Sequence, residues 1–111
     1  MVLLKAILRP DRLEAVKDAL VDLGVTGITV TEVRGHGKQK GHTAIYRGRE
    51  YAVTLLPKMQ IEVVIPERLS TDAVNTIIEA GKTGQIGDGR IFIIPVAESY
   101  RIRTGELDQM A

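Results

Sequence analysis

Apolar positions fall along the chain in short runs of two periods. Val2–Leu8 (VLLKAIL) is short, apolar and β-prone, and Pro10 ends it. In the next segment, DRLEAVKDALVDLG, Leu13, Val16, Leu20 and Leu23 recur on one helical face while Arg12, Lys17 and Asp18 point elsewhere. Asp11 followed by Glu14 has capping-box spacing, and Gly24 is a suitable stop. GITVTEV (27–33) reads as a strand with Ile28 and Val30 on one side. MQIEVVI (59–65) alternates Met59, Ile61, Val63 and Ile65. STDAVNTIIEAG (70–81) reads as a capped helix carrying Val74, Ile77 and Ile78 and closed by Gly81. IFIIPV (91–96) is a last strand, with Pro95 marking an edge or an end.

The order is βαββαβ, the α+β ferredoxin-like arrangement of an antiparallel sheet with two helices on one face. Residues 1–111 suffice for a single domain. Two helices cover one face of such a sheet. Yet Val2-Leu3-Leu4 and Ile91-Phe92-Ile93-Ile94 are continuously apolar, as strands are when both faces are buried. The second face is therefore expected to meet another subunit. Between the second and third strands the pattern predicts a loop from about Gly35 to Pro57, containing GHGKQKGHTAIYRGREY and reading as neither strand nor helix. Loops beyond about 12–15 residues are uncommon in compact domains and usually functional.

Composition narrows the function classes. At 44% hydrophobic and 26% charged residues, the chain is an ordinary globular one, and its formal charge of +1 exerts no bulk pull on nucleic acid. RNA-recognition domains of the same strand order stack bases on central-strand aromatics, and KMQIEVVI supplies none. With no cysteine, disulfides and thiolate metal sites are excluded and a reducing compartment, the cytoplasm, is expected. The Val2-Leu3-Leu4 run is too short for a signal segment or a membrane span.

Three pieces carry anion chemistry. GKTGQIGDGR (81–90) is not a P-loop: the glycine needed five residues before Gly81 is Thr76, and GKT ends a helix instead of opening one. What remains is Gly84, Gly87 and Gly89 around Asp88, ending in Arg90. Glycines let backbone N–H groups approach a phosphate closely, and a terminal cation adds charge, although a plain turn looks similar. RIRTGE (101–106) alternates Arg101 and Arg103, which share a side on an extended backbone and can converge on a polyphosphate. A solvated basic edge would show the same spacing. RGHGKQKG (34–41) adds spare N–H groups with Lys38 and Lys40. Together the three pieces favour a nucleotide site. His36 and His42 have no partners at metal-ligand spacing, and no nucleophile–base constellation or paired carboxylates are evident.

GKQKGHTAIYRGREY, TGQIGDGRIF and RIRTGE, at these separations, closely resemble the PII nitrogen-regulatory signal proteins, and the likeness runs from LLKAILRP through GITVTEVRGHG and LLPKMQIEVVI to the tail. The resemblance implies a cytoplasmic homotrimer, recruited to the membrane only through an ammonium channel, with ATP or ADP in the three clefts between subunits. Residues 37–55 match the family's T-loop, about 82–90 its B-loop and about 101–108 its C-loop. By position, Thr29, Gly35, Gly37, Lys38, Gln39, Val64, Gly87, Asp88, Gly89 and Arg90 would line the nucleotide cleft, with Arg101 and Arg103 reaching the phosphates from the neighbouring subunit. 2-Oxoglutarate would bind beside Mg-ATP, with Gln39 completing the magnesium site. Lys58 would pair with its distal carboxylate, near Arg9, Gly87 and the 37–41 backbone including Lys40 and Gly41. Arg47 matches the residue inserted into an ammonium channel and Tyr51 a tyrosine that some members have uridylylated. Other implied partners are nitrogen-assimilation enzymes and regulators.

Departures from the family pattern are Arg49 in place of a small residue, His36 and Asp11 in place of Phe, and Arg90 in place of Lys. The expected function is a non-enzymatic sensor of ATP/ADP and 2-oxoglutarate acting through the long loop. The competing reading is a small phosphoryl-transfer or ATP-hydrolysing enzyme, for which no base or nucleophile is evident.

Overall fold

The structure, a computed structural model, describes residues 1–36, 43–46, 49–52 and 55–109. Strands β1 (Val2–Leu8), β2 (Thr29–Gly35), β5 (Leu56–Ile65) and β6 (Gly89–Pro95) form one antiparallel sheet in the order β2-β5-β1-β6. Helices α1 (Leu13–Asp22) and α2 (Ser70–Gly81) pack on each other across one face. β3 (Thr43–Tyr46) and β4 (Arg49–Ala52) pair with each other as a second, two-stranded sheet among the described residues.

Alternation builds the core. Val2, Leu4, Ala6 and Leu8 are buried while the residues between them are half-buried. The β1–β5 register places Ile65, Val63 and Ile61 beside Val2, Leu4 and Ala6 on the same face. Val16 and Leu20 of α1 and Ala73 and Ile77 of α2 close over them, with Leu13, Leu23 and Ile91 packed around the edge. Fully burying a side chain such as Leu4, Leu20 or Ile61 contributes about 1.5–3 kcal/mol. The opposite face stays half open: Phe92 lies across from Lys5 and Ile94 across from Leu3, and both are exposed, at 41% and 42%.

Several sequence expectations need correction. The segment expected to be irregular contains the β3–β4 hairpin. Thr43, Ile45, Tyr46 and Tyr51 are good strand formers, but charged and glycine neighbours conceal them in a polar average. The Asp11–Glu14 capping box does not form. Pro10–Arg12 makes a 3-10 turn, Arg12 is the N-cap without a side-chain bond, and Glu14 pairs instead with Lys17 at 2.7 Å. Proline fixes the turn and lacks a donor that would need a cap. α2 has no side-chain cap either; Ser70 Oγ donates to the Glu67 carbonyl across a second 3-10 turn, Glu67–Leu69. Gly81 is the last helical residue rather than a left-handed stop. A Cβ there would lie 3.3 Å from Val16 Cγ2, so it is small because α1 crosses it. Gly24, at φ +99°, does terminate α1 as expected.

Candidate functional site

The segment after α2 folds around one carboxylate. Asp88 Oδ2 accepts the backbone N–H groups of Thr83 at 2.7 Å and Gly84 at 2.9 Å. Asp88 Oδ1 accepts the Thr83 hydroxyl and, at 2.8 Å, Nε of Arg9 from the end of β1. These donors hold the Asp88 carboxyl far below the ordinary carboxylate range, the Thr83 hydroxyl first and Arg9 next. The Arg9 fork also reaches the Ile86 carbonyl at 2.8 Å, and Lys58 Nζ from β5 donates to the Gly87 carbonyl at 2.7 Å. Burial first, then the neighbouring Arg9 cation, push Lys58 below the usual lysine value.

The bonds to Asp88 leave other groups of the loop without a partner among the described residues. The Gln85 N–H is met by the Thr83 hydroxyl at 3.2 Å, but the N–H groups of Ile86, Gly87 and Asp88 meet no acceptor among the described residues. Gly87 has φ +99° and Gly89 φ +109°, so the chain curls around these donors in a conformation other residues resist. Gly89 has a second constraint: a Cβ would lie 1.7 Å from the Ile7 carbonyl oxygen, because the loop enters β6 directly against β1. Consecutive free N–H groups flanked by two cations make an anion-binding concavity. Gly35, at the end of β2, is at this end of the sheet too; a Cβ on it would touch Lys58 Cγ at 3.4 Å. Arg90 follows on β6, opposite Ile7.

A second cluster lies toward the other end of β5. Thr29, Glu62, Val64, Arg101 and Asp108 line a groove of about 610 Å³. Arg101 Nε donates to Asp108 Oδ1 at 2.7 Å, and Ser99 donates to Oδ2 at 2.8 Å. That pairing lowers the Asp108 carboxyl, Arg101 contributing most. The extended 101–103 backbone expected from the sequence is a tight turn instead. Gly105 N–H bonds the Arg101 carbonyl at 2.7 Å and Arg101 N–H the Glu106 carbonyl at 2.8 Å. Gly105, at φ +72°, lets the chain reverse there, so an i, i+2 rule for a strand does not apply to Arg101 and Arg103. Arg103 is on the exposed turn.

The sequence-predicted residues thus fall into two groups within one chain. Arg9, Gly35, Lys58, Gly87, Asp88, Gly89 and Arg90 cluster at the loop; Thr29, Val64 and Arg101 share the distant groove. Lys58 and Val64 are both on β5, and six residues of strand span about 20 Å. Gly37, Lys38, Gln39, Lys40, Gly41 and Arg47 lie outside the described residues, as does the side chain of Tyr51 on β4. Sequence reasoning missed Thr83 and Asp108, the partners of Asp88 and Arg101. The Thr83–Asp88 spacing within a glycine-rich turn was the available signal.

A family model described as Nitrogen regulatory protein P-II matches residues 1–106. Nitrogen regulatory protein P-II 1 of Escherichia coli (strain K12) is 54% identical over 106 residues, covering 96% of this chain and 95% of that protein. Nitrogen regulatory protein P-II of Rhizobium etli is 51% identical over 111 residues, covering 100% and 99%, and that of Klebsiella oxytoca 53% over 106 residues, covering 96% and 95%. The chain belongs to the nitrogen regulatory protein P-II family. As a P-II protein it has a nitrogen-regulatory signalling role, and it is a regulator rather than an enzyme. Among its described residues no helix is long and apolar enough to cross a membrane. Nor does any group of three or more His, Asp or Glu among them offer a metal a protein-only cage.

Proposed function

We propose that this P-II chain senses ATP or ADP together with 2-oxoglutarate and passes the result to partners through residues 37–55. The observation that carries the reading is the run of N–H groups at Ile86, Gly87 and Asp88 that have no acceptor among the described residues, bordered by Arg9 and Lys58, which suits an oxyanion and little else. The phosphates of the nucleotide occupy that concavity, with Gly35, Gly89 and Arg90 beside them. Gly37, Lys38 and Gln39 complete this half of the site.

The Thr29–Val64–Arg101 groove belongs to the same nucleotide cleft but on the adjacent subunit. Two half-sites about 20 Å apart cannot close on one small ligand, whereas two chains meeting through the exposed Phe92–Ile94 face can juxtapose them. The assembly is a homotrimer with three such clefts, and Arg103 extends the same half as Arg101.

2-Oxoglutarate, a dianion, binds beside the polyphosphate only with magnesium between them, an oxygen-seeking ion that is usually shared with substrate phosphates. The donor set fits this division. Asp88 accepts four bonds and has no lone pair left for a metal; the protein ligand is Gln39, as the family resemblance implies. Lys58 pairs with the distal carboxylate through donors that its single bond to the Gly87 carbonyl leaves spare, with Arg9, Gly37, Lys40, Gly41 and Gly87 around it. Ligands order the base of the long loop, and a partner surface selects among arrangements of its tip. Those partners are an ammonium channel, met through Arg47, or nitrogen-metabolism enzymes and regulators, with Tyr51 the modification site. The protein acts in the cytoplasm and reaches the membrane through the channel.

Calorimetric titration with 2-oxoglutarate, in Mg-ATP, in Mg-ADP and without nucleotide, tests the reading. Binding in Mg-ATP alone is expected. Nucleotide binding without a 2-oxoglutarate response would leave an energy sensor, and no nucleotide binding would overturn the proposal.

A further inference from the structure

Arg9 and Asp88 stand in the phosphate loop's own framework. Both are about three-quarters covered, with side-chain exposures of 25% and 24%. A carboxylate has about four acceptor positions, and those of Asp88 are taken by Arg9 Nε, the Thr83 hydroxyl, Thr83 N–H and Gly84 N–H. The Arg9 fork is committed as well: Nε to Asp88 and the terminal nitrogen to the Ile86 carbonyl, both at 2.8 Å. With Thr83, Gly84 and Gln85 N–H groups held inside the loop, those of Ile86, Gly87 and Asp88 are left without an acceptor among the described residues. An unpaired carboxylate beside a polyphosphate would also repel it, and Arg9 neutralises that charge where it arises.

We infer that Arg9 and Asp88 are positioning residues for the nucleotide: they form a latch that holds residues 83–89 in the anion-accepting shape before a ligand arrives, and neither side chain touches the nucleotide. The inference rests on the nucleotide reading above for its consequence, but the latch itself is a property of the free protein. It separates the two cations of the site. Lys58 holds a single carbonyl and has donors spare for a carboxylate ligand. Arg9 bridges two acceptors on the loop with a rigid planar fork, which the compact, flexible ammonium of a lysine does not reproduce.

A double-mutant cycle with Arg9→Ala and Asp88→Asn tests it by two readouts: Mg-ATP titration, and amide hydrogen exchange of the unliganded protein at Thr83, Gly84 and their neighbours. Each single variant is expected to weaken Mg-ATP binding roughly tenfold and to speed exchange at Thr83 and Gly84 about as much. The double variant should be no weaker than the worse single one, because the two act as a unit. Arg9→Lys should recover only part of the loss. Additive losses would mean that Arg9 contacts the nucleotide directly and would overturn the inference, as would unchanged exchange in Arg9→Ala. Should Arg9→Ala fail to fold, Asp88→Asn on the surface loop carries the exchange test. If the unsubstituted protein binds no Mg-ATP, the nucleotide reading fails, and exchange alone still decides whether the latch exists.

Discussion

At the scale of single residues, glycines in the phosphate loop differ in what they tolerate. Gly84 sits at φ +86° with open space where a Cβ would go, so Gly84→Ala pays only for a left-handed backbone, about 1–2 kcal/mol. Gly89 combines φ +109° with a Cβ position 1.7 Å from the Ile7 carbonyl oxygen, and that oxygen belongs to a strand that cannot move alone. Gly89→Ala must push the start of β6 off β1 and deform the cradle. The expected result is a loss well beyond that of Gly84→Ala, about 3 kcal/mol or more. Urea unfolding of the two variants side by side measures it. Equal midpoints would mean that the close approach at Ile7 has no energetic weight. The same contrast explains why the glycine-rich spelling of this segment was legible as anion chemistry while its latch was not. Arg9 and Asp88 are 79 residues apart, and only the β1–β6 register brings them together.

Among the elements, those with a buried face were readable. β1, β5 and both helices carry the 2.0 or 3.6 period because one side meets the core, and their boundaries moved by only a few residues. Neither the hairpin nor the C-terminal turn follows the sheet whose burial pattern made the other elements readable: β3–β4 shares no ladder with it, and residues 101–106 are all exposed. Alternating Arg101 and Arg103 looks the same on a strand or on a turn closed by Gly105. The separateness of the hairpin has a consequence. β3 and β4 share no ladder with the four-stranded sheet, so replacing residues 43–52 by a short Gly-Ser linker removes no rung of that sheet. The thermal midpoint should shift by less than about 4 °C, the effect of ~1 kcal/mol on a domain of this size. Mg-ATP binding should persist while the response of a partner protein disappears. A fall of 10 °C or more would show that the hairpin is part of the folding unit instead of an appendage to it.

For the whole molecule, the two half-sites and the open sheet face pose one question. If a nucleotide needs the Gly87–Arg90 loop of one chain and the Thr29–Val64–Arg101 groove of another, association and binding must fail together. Phe92 and Ile94 lie on the face away from the helices, across from Lys5 and Leu3, and far from the core that folds the subunit. The double substitution Phe92→Glu with Ile94→Glu places two carboxylates where an interface would bury them. Unpaired buried charges cost several kcal/mol each, and every 1.4 kcal/mol is tenfold in association. Sedimentation should therefore find a monomer at micromolar protein, and because neither residue contributes to the helix-side core, far-ultraviolet circular dichroism should be unchanged. Both half-sites survive in that monomer, complete in their own hydrogen bonds. The composite cleft predicts that its affinity for Mg-ATP nonetheless falls by at least a hundredfold. A monomer that binds Mg-ATP as tightly as the unsubstituted protein would place the whole site within one subunit. The 20 Å between Lys58 and Val64 would then separate two unrelated sites, and the groove around Arg101 would need another ligand.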